Sequence, residues 1–313
     1  MQRFVARLDS GRKLEPSGNV VLHGAGQSPE AFRSYYAAVG GNKPLLYMSY
    51  VSFQDDLPAY FATLRDELRS YTSSSLIPQI GLYMNGGGLD EHPVPPYDEA
   101  VAAGLYDTQI AELCAGLKSL ACPVFLRIGF EFNGPWNGYR PESFKRAWIR
   151  IVEALRREGL DEVATVWCYC PLPSRREQPW GVDRDYEAFY PGDDVVDWWS
   201  IDLFEVADFY IDNTRWFMED ATQRQFPVMI GEATPRKVGV NEGETAWQKW
   251  FRPFFDFIYS QPTVKAFCYI NWNWTQYPQF HDWGDARIEA NETVLRYYQA
   301  ELANEWYRHA EGE

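Results

Sequence analysis

The sequence has few of the side chains that most often bind metals or form redox pairs. Histidine occurs only four times in 313 residues, at His23, His92, His281 and His309, with no H-x-H or H-E-x-x-H arrangement. A catalytic zinc site would have to be assembled mostly from carboxylates, which zinc rarely selects. Five cysteines (Cys114, Cys122, Cys168, Cys170, Cys268) form no C-x-x-C pair, and four of them lie in or beside apolar runs. That predicts reduced, buried thiols rather than a disulfide framework. Positive charge is scarce as well: 29 basic against 44 acidic residues give a net charge of −15, with no basic run of five or more. Nucleic acid and anionic membrane are therefore excluded as expected partners. No apolar stretch approaches the roughly 20 residues needed to span a bilayer. The start, MQRFVARLD, has no signal-peptide apolar region, so the expectation is a cytoplasmic chain, or a secreted one if a leader has been trimmed. There is no G-x-x-x-x-G-K-[ST] loop and no G-x-S-x-G elbow, and Gly24-Ala25-Gly26 lacks the third glycine of a dinucleotide fingerprint. Phosphate-loop, dinucleotide and α/β-hydrolase chemistry are set aside, and neither a metal nor an organic cofactor is expected.

Aromatic residues and carboxylates are abundant by contrast. Thirteen tryptophans, 20 tyrosines and 19 phenylalanines make up 17% of the chain, and rings with a polar handle suit broad, partly wet surfaces. Short apolar runs bounded by turn residues predict eight strands, at 20–23, 45–50, 77–83, 124–130, 163–169, 195–203, 228–231 and 264–270. Helical periodicity fills gaps between them at 56–70, 100–117, 141–158, 214–225 and 246–259. Strands alternating with helices imply parallel pairing through right-handed crossovers, and eight such units predict a (β/α)₈ barrel occupying residues 1–313 as a single domain. Pro141 and Glu142 at a helix start, and Gly159 after its end, punctuate one unit. The Gly- and Pro-rich stretch 86–97 reads as a long loop on the C-terminal face, where barrel active sites are built.

Two carboxylates stand where an active barrel would use them. Glu131 follows the fourth strand and Glu232 follows the seventh, each where an apolar run meets Gly, Asn or Pro. A closed barrel brings both to one mouth, and a converging pair is what glycoside hydrolysis needs. One carboxyl group protonates the leaving oxygen; the other attacks the anomeric carbon or activates water. Arg127 lies four residues before Glu131, and period-2 alternation would place positions 127, 129 and 131 on one face. Asn133 reads as a sugar-hydroxyl contact or as a turn residue beside Gly134 and Pro135. Asp202 closes the sixth strand, where it would meet sugar, orient Arg127 or cap the next segment. His23, before Gly24-Ala25-Gly26, reads equally as a substrate contact or a structural histidine. Trp136 and Trp272 follow strand ends and are candidates for stacking on sugar rings. Trp198 and Trp199 are adjacent and read as core on opposite faces of a strand. Trp148, Trp216, Trp247 and Trp250 lie in helical patterns and read as packing.

The fourth-strand block Arg127-Ile-Gly-Phe-Glu-Phe-Asn-Gly-Pro-Trp136 resembles the R-x-x-H-E-x-N-G-x-W pattern of family 26 glycoside hydrolases, the β-mannanase group of retaining barrel glycosidases. Segments 191–202 and 230–232 are similar to that family's sixth- and seventh-strand blocks. The resemblance implies that Glu131 is the acid/base, that Glu232 is the nucleophile kept ionised by Arg127, and that Trp272 floors the cleavage subsite. It implies a retaining hydrolase acting on a neutral β-linked poly- or oligosaccharide. One position departs from the pattern: Phe130 replaces the usual His, which puts mannan specificity in doubt more than hydrolysis. A relative acting on β-glucan or β-xylan, or from the chain end, is the alternative, and a barrel that binds carbohydrate without cleaving it is another.

Overall fold

The computed structural model describes residues 5–71, 76–86 and 95–310. Its centre is a closed ring of eight parallel strands: β1 (Val21–Gly26), β2 (Leu46–Ser52), β3 (Ile77–Tyr83), β4 (Val124–Ile128), β5 (Val163–Tyr169), β6 (Trp198–Leu203), β7 (Val228–Ala233) and β8 (Val264–Tyr269). They pair in sequence order, and β1 bonds to both β8 and β2 to close the ring. A two-residue strand, β9 (Tyr307–Arg308), pairs with Val21 and Leu22, covering the part of β1 that lies before its pairing with β2 begins at Gly24. The ring is a (β/α)₈ barrel.

Gly24 and Gly26 have their purpose at that closing seam. A Cβ on Gly24 would stand 2.3 Å from the Leu46 carbonyl oxygen, and one on Gly26 would stand 2.1 Å from that of Met48. Only glycine lets β1 and β2 approach this closely.

The outer layer comprises α1 (Pro29–Ala38), α2 (Leu57–Arg69), α3 (Asp98–Ala102), α4 (Asp107–Leu120), α5 (Pro141–Arg157), α6 (Asp212–Gln223), α7 (Glu244–Ala246), α8 (Arg252–Ser260) and α9 (Glu292–Leu302), with a π-helical turn, Trp247–Phe251, joining α7 to α8. Helix α5 shows why these segments coil. Pro141 stands at its first turn with Glu142, Arg156 and Arg157 occupy its last turn, and Gly159 follows with φ +66°. These choices satisfy the helix ends and complement its dipole. Its buried stripe, Phe144, Ala147, Trp148, Ile151, Val152 and Leu155, recurs every three or four residues and packs on the barrel. Each large side chain buried there contributes about 1.5–3 kcal/mol.

Helices α1 and α9 lie outside the segments expected from periodicity because tyrosine carries part of their buried faces. Those faces are Ala31, Phe32 and Tyr35 in α1 and Val294, Tyr298 and Leu302 in α9, with Ser28 and Asn291 as capping residues. All five cysteines are unpaired, four of them buried. Trp198 and Trp199 are both buried, the first against Phe125 and the second against Trp167 and Phe217. Most of the expected loop 86–97 lies outside the described residues. Among the described residues no helix is long and apolar enough to cross a membrane.

Candidate active site

Local breaks in strand geometry aim the functional side chains. Alternation along β4 does not continue to Glu131. The strand ends at Ile128, Gly129 turns left-handed at φ +54°, and Glu131 itself has φ +51°. A Cβ on Gly129 would meet the Phe144 ring of α5 at 2.7 Å, so position 129 faces the helix layer and the shared face expected for 127, 129 and 131 is corrected. A non-glycine residue in this region costs on the order of 1–3 kcal/mol, and such strain concentrates at functional sites. On β7 the register against β6 runs Ile201 to Ile230 and then Asp202 to Glu232. Gly231 is thus the extra residue of a β-bulge. Strict alternation from Met229, whose sulfur meets Gln79 inside the barrel, would turn 232 outward; the bulge turns Glu232 into the mouth instead.

Arg127 is the hub beneath the mouth. Its fully buried guanidinium donates to Glu232 Oε1 at 2.8 Å, to Asp202 Oδ2 at 2.5 Å and to Cys168 Sγ at 3.0 Å. One cation thereby faces two carboxyl groups, and removing it would leave both without their buried hydrogen-bond donor. Gly231 makes room for this cluster: a Cβ there would lie 2.6 Å from Ser200 Oγ, 2.7 Å from Asp202 Oδ1 and 3.0 Å from Arg127 Cζ. Burial, helped by the nearby Glu232 carboxylate, pushes the hydroxyl pKa of Tyr50 on β2 up. Arg127 therefore fixes the orientation of Glu232 at the mouth.

Glu131 has a different environment. Burial and the neighbouring Glu232 charge push its pKa up to about 7, against the indole N–H of Trp136, which donates to Oε2 at 2.7 Å, and the Cys170 thiol, which also hydrogen-bonds to it. Glu131 thus holds its proton up to near neutral pH, whereas Glu232 lies against the Arg127 guanidinium. Divergent environments of this kind separate an acid from a nucleophile.

Several expected site residues are brought to the mouth and others are not. Trp136 reaches Glu131 and keeps 44% of its surface exposed. Trp272 is half-buried beyond β8, near the ring of Tyr277, and its indole N–H has no partner among the described residues. Asp202 is fully buried and holds Arg127, so it orients the arginine and does not meet sugar. Asn133 is spent on a loop clip: it donates to the Cys170 carbonyl and Asp185 Oδ2, both at 2.8 Å, and accepts from the Cys170 amide. The sugar contact considered for it gives way to this structural role. His23 is corrected too. It sits within β1 rather than at its end, fully buried, with its ring nitrogens taken by His309 at 3.0 Å and Tyr35 at 3.2 Å.

Residue-by-residue reading missed the aromatic wall. Phe130 lies over the Arg127 guanidinium with 4.7 Å from Cζ to the ring centroid, and packs against Tyr83 at 4.6 Å and Tyr50 at 5.4 Å. Both tyrosines stand at or near predicted strand ends, which was the available signal. Among the described residues no group of three or more His, Cys, Asp and Glu side chains is arranged to hold a metal ion.

Residues 90–265, more than half of the chain, match the family model described as Glycosyl hydrolase family 26. The chain belongs to that family. This family 26 member is a glycoside hydrolase. It is 27% identical to the β-1,3-xylanase TXYA of a Vibrio species, over 98% of this chain and 70% of that protein. It is 28% identical to a β-1,3-xylanase of an Alcaligenes species, over 75% of this chain and 51% of that protein. This chain thus matches only about half the length of the second relative. Among solved structures, Bacillus subtilis mannanase man26 superposes with a TM-score of 0.61 at 19% identity, covering 94% of this chain and 88% of that one. A family 26 β-mannanase from Bacteroides ovatus superposes with a TM-score of 0.63 at 14% identity, covering 93% and 91%. At these identities the likeness is one of fold.

Proposed function

We propose that this chain hydrolyses β-1,3-linked xylan with retention of configuration, using Glu131 as acid/base and Glu232 as nucleophile. The observation that carries the chemistry is the unlike surroundings of the two carboxyl groups: Glu131 is buried and pushed up to about 7, and Glu232 receives the Arg127 guanidinium at 2.8 Å. In the first step a Glu232 oxygen attacks the anomeric carbon as the bond to the leaving oxygen breaks, and Glu131 delivers its proton to that oxygen. A glycosyl ester of Glu232 results. In the second step Glu131, now a carboxylate, takes a proton from water as the water oxygen attacks the anomeric carbon and Glu232 departs. Both groups are retained and tuned, which disfavours a barrel that only binds sugar.

The choice of sugar rests on two supports. Both relatives aligned by sequence are named β-1,3-xylanases. In addition, Phe130 places an apolar ring beside the acid/base where the family pattern has His, which suits xylose, a sugar without a hydroxymethyl group. Mannan is the second reading, favoured by the mannanase folds it matches.

The test is a panel of β-1,3-xylan, β-1,4-xylan, β-mannan and β-1,3-glucan, with products sized and their anomeric form followed by NMR. β-1,3-Xylan is expected to be cleaved best, to β-anomers, and Glu232→Ala to lose turnover by orders of magnitude while still binding sugar. Preferential cleavage of mannan would overturn the substrate; α-anomers, or activity surviving in Glu232→Ala, would overturn the roles.

A further inference from the structure

Large rings in water mark binding surfaces when the backbone beneath them is held rigid. Trp180 is 65% exposed, on the connection that leaves β5 at the C-terminal end of the barrel. This loop is tightly anchored. Buried Asn213 donates to the Leu172 and Val182 carbonyls at 2.8 and 2.7 Å. Buried Ser174 bonds to Asp212 at 3.2 Å, and Glu177 accepts from the amides of Ser174 and Asp212, both at 2.9 Å. The turn closes through Gly181 N–H to the Gln178 carbonyl at 2.9 Å and Val182 N–H to that of Pro173 at 3.3 Å. A Cβ on Gly181 would stand 2.2 Å from the Ser174 carbonyl oxygen, so the chain is packed tightly immediately after the tryptophan. Pro179 precedes it and restricts the backbone further. A tryptophan carried on backbone that is already anchored does not have to order its loop on binding, which lowers the cost of recognition.

Its position assigns the ligand. The β5 loop is clipped to the Glu131 loop through Asn133, which bonds to Cys170 at one end of the connection and to Asp185 further along it. Glu131 follows β4 and Glu232 lies on β7, with β5 and β6 between them in the ring. In the proposed reaction the departing oxygen takes its proton from Glu131, so the leaving-group half of the polymer lies on the Glu131 side. Trp136 and Trp180 are exposed tryptophans on the adjacent β4 and β5 loops. We infer that Trp180 is a distal stacking platform for the leaving-group end of the polysaccharide chain.

The inference rests on the proposed catalytic roles, and its test separates the two. Wild type, Trp180→Ala and Trp180→Phe are compared on β-1,3-xylan, on reducing-end-labelled β-1,3-xylooligosaccharides, and on a nitrophenyl β-xylobioside, whose leaving group is a single ring too short to reach a distal platform. The ratio of kcat/KM on polymer to that on the nitrophenyl glycoside should fall about tenfold in Trp180→Ala, the loss of about 1.4 kcal/mol. The fall should come through KM, Trp180→Phe should recover part of it, and cleavage of the labelled oligosaccharides should move toward the reducing end. An unchanged ratio, or equal losses on both substrates, would overturn the platform while leaving the carboxylate roles standing. If wild type cleaves another glycan of the panel instead, the substrate reading fails and the same ratio on that glycan decides the platform.

Discussion

Trp136 donates to Glu131 from the rim of the site, and Trp136→Phe keeps a ring while deleting only the donor. The indole N–H meets Oε2 at 2.7 Å. It favours the charged carboxylate, so it opposes burial and the Glu232 charge, which together hold Glu131 at about 7. A hydrogen bond to a charged group is worth roughly 1.5–3 kcal/mol and one to its neutral form about half as much. Trp136 is 44% exposed, so water competes for the bond and the lower end applies. The difference between the two protonation states is then about 0.7–1 kcal/mol, or roughly 0.5–0.7 of a pH unit at about 1.4 kcal/mol per unit. In the proposed reaction Glu131 must be protonated for the first step, so activity should be lost as pH rises through its pKa. Without the indole donor the acid keeps its proton to higher pH.

The assay is kcat/KM on a xylooligosaccharide from pH 4 to 10, which reports the free enzyme. The alkaline midpoint should move from about 7 to about 7.5–7.7. Loss of ring stacking changes the height of the profile and not its midpoint, so Trp136→Ala should give the same shift on a lower curve. A midpoint that stays in place, or moves to lower pH, would refute Glu131 as the acid or the indole bond as one of its controls.

Further outcomes follow from single residues. Glu131→Ala should cost about 10²–10⁴-fold in kcat/KM on natural glycans but far less on nitrophenyl glycosides, which need no proton to depart; steady-state and pre-steady-state rates on the two substrates check this. Gly231→Ala should unfold more easily by about 2 kcal/mol or more and lose activity, because its Cβ would lie 2.6–3.0 Å from Ser200, Asp202 and Arg127; urea denaturation and turnover measure both. His23 is pushed down to about 3 by burial and by His309, so the folded state holds it neutral while an unfolded chain protonates it near 6.5. Stability should therefore fall as pH drops from about 6.5 toward 3, by up to about 5 kcal/mol from this group. His23→Gln should flatten that part of the stability profile; equal acid sensitivity in the variant would refute the assignment.

What could be read in the sequence, and what could not, divides along a physical line. Strand order and the two carboxylates follow from apolar runs ending at Gly, Asn and Pro, because parallel barrel strands are buried on both faces and their ends must turn. Those signals are local, and they placed Glu131 and Glu232 at strand ends. The direction in which a side chain leaves the backbone is not a property of runs or periods. Gly129 and Glu131 adopt left-handed φ and Gly231 bulges out of register, so alternation misassigned the face of position 129 just where the site begins. Asn133 and His23 failed as sugar contacts for a related reason. Each side chain can bond to sugar or to protein, and only the fold shows that Cys170, Asp185, His309 and Tyr35 already occupy them. Tyr50 and Tyr83 come from β2 and β3 and Phe130 from the turn after β4, and they become one wall only when the ring closes. Local sequence rules are broken at this mouth, where two carboxyl groups and a buried arginine are brought together, an arrangement that regular strands do not provide. The departures from expectation therefore cluster at the candidate site.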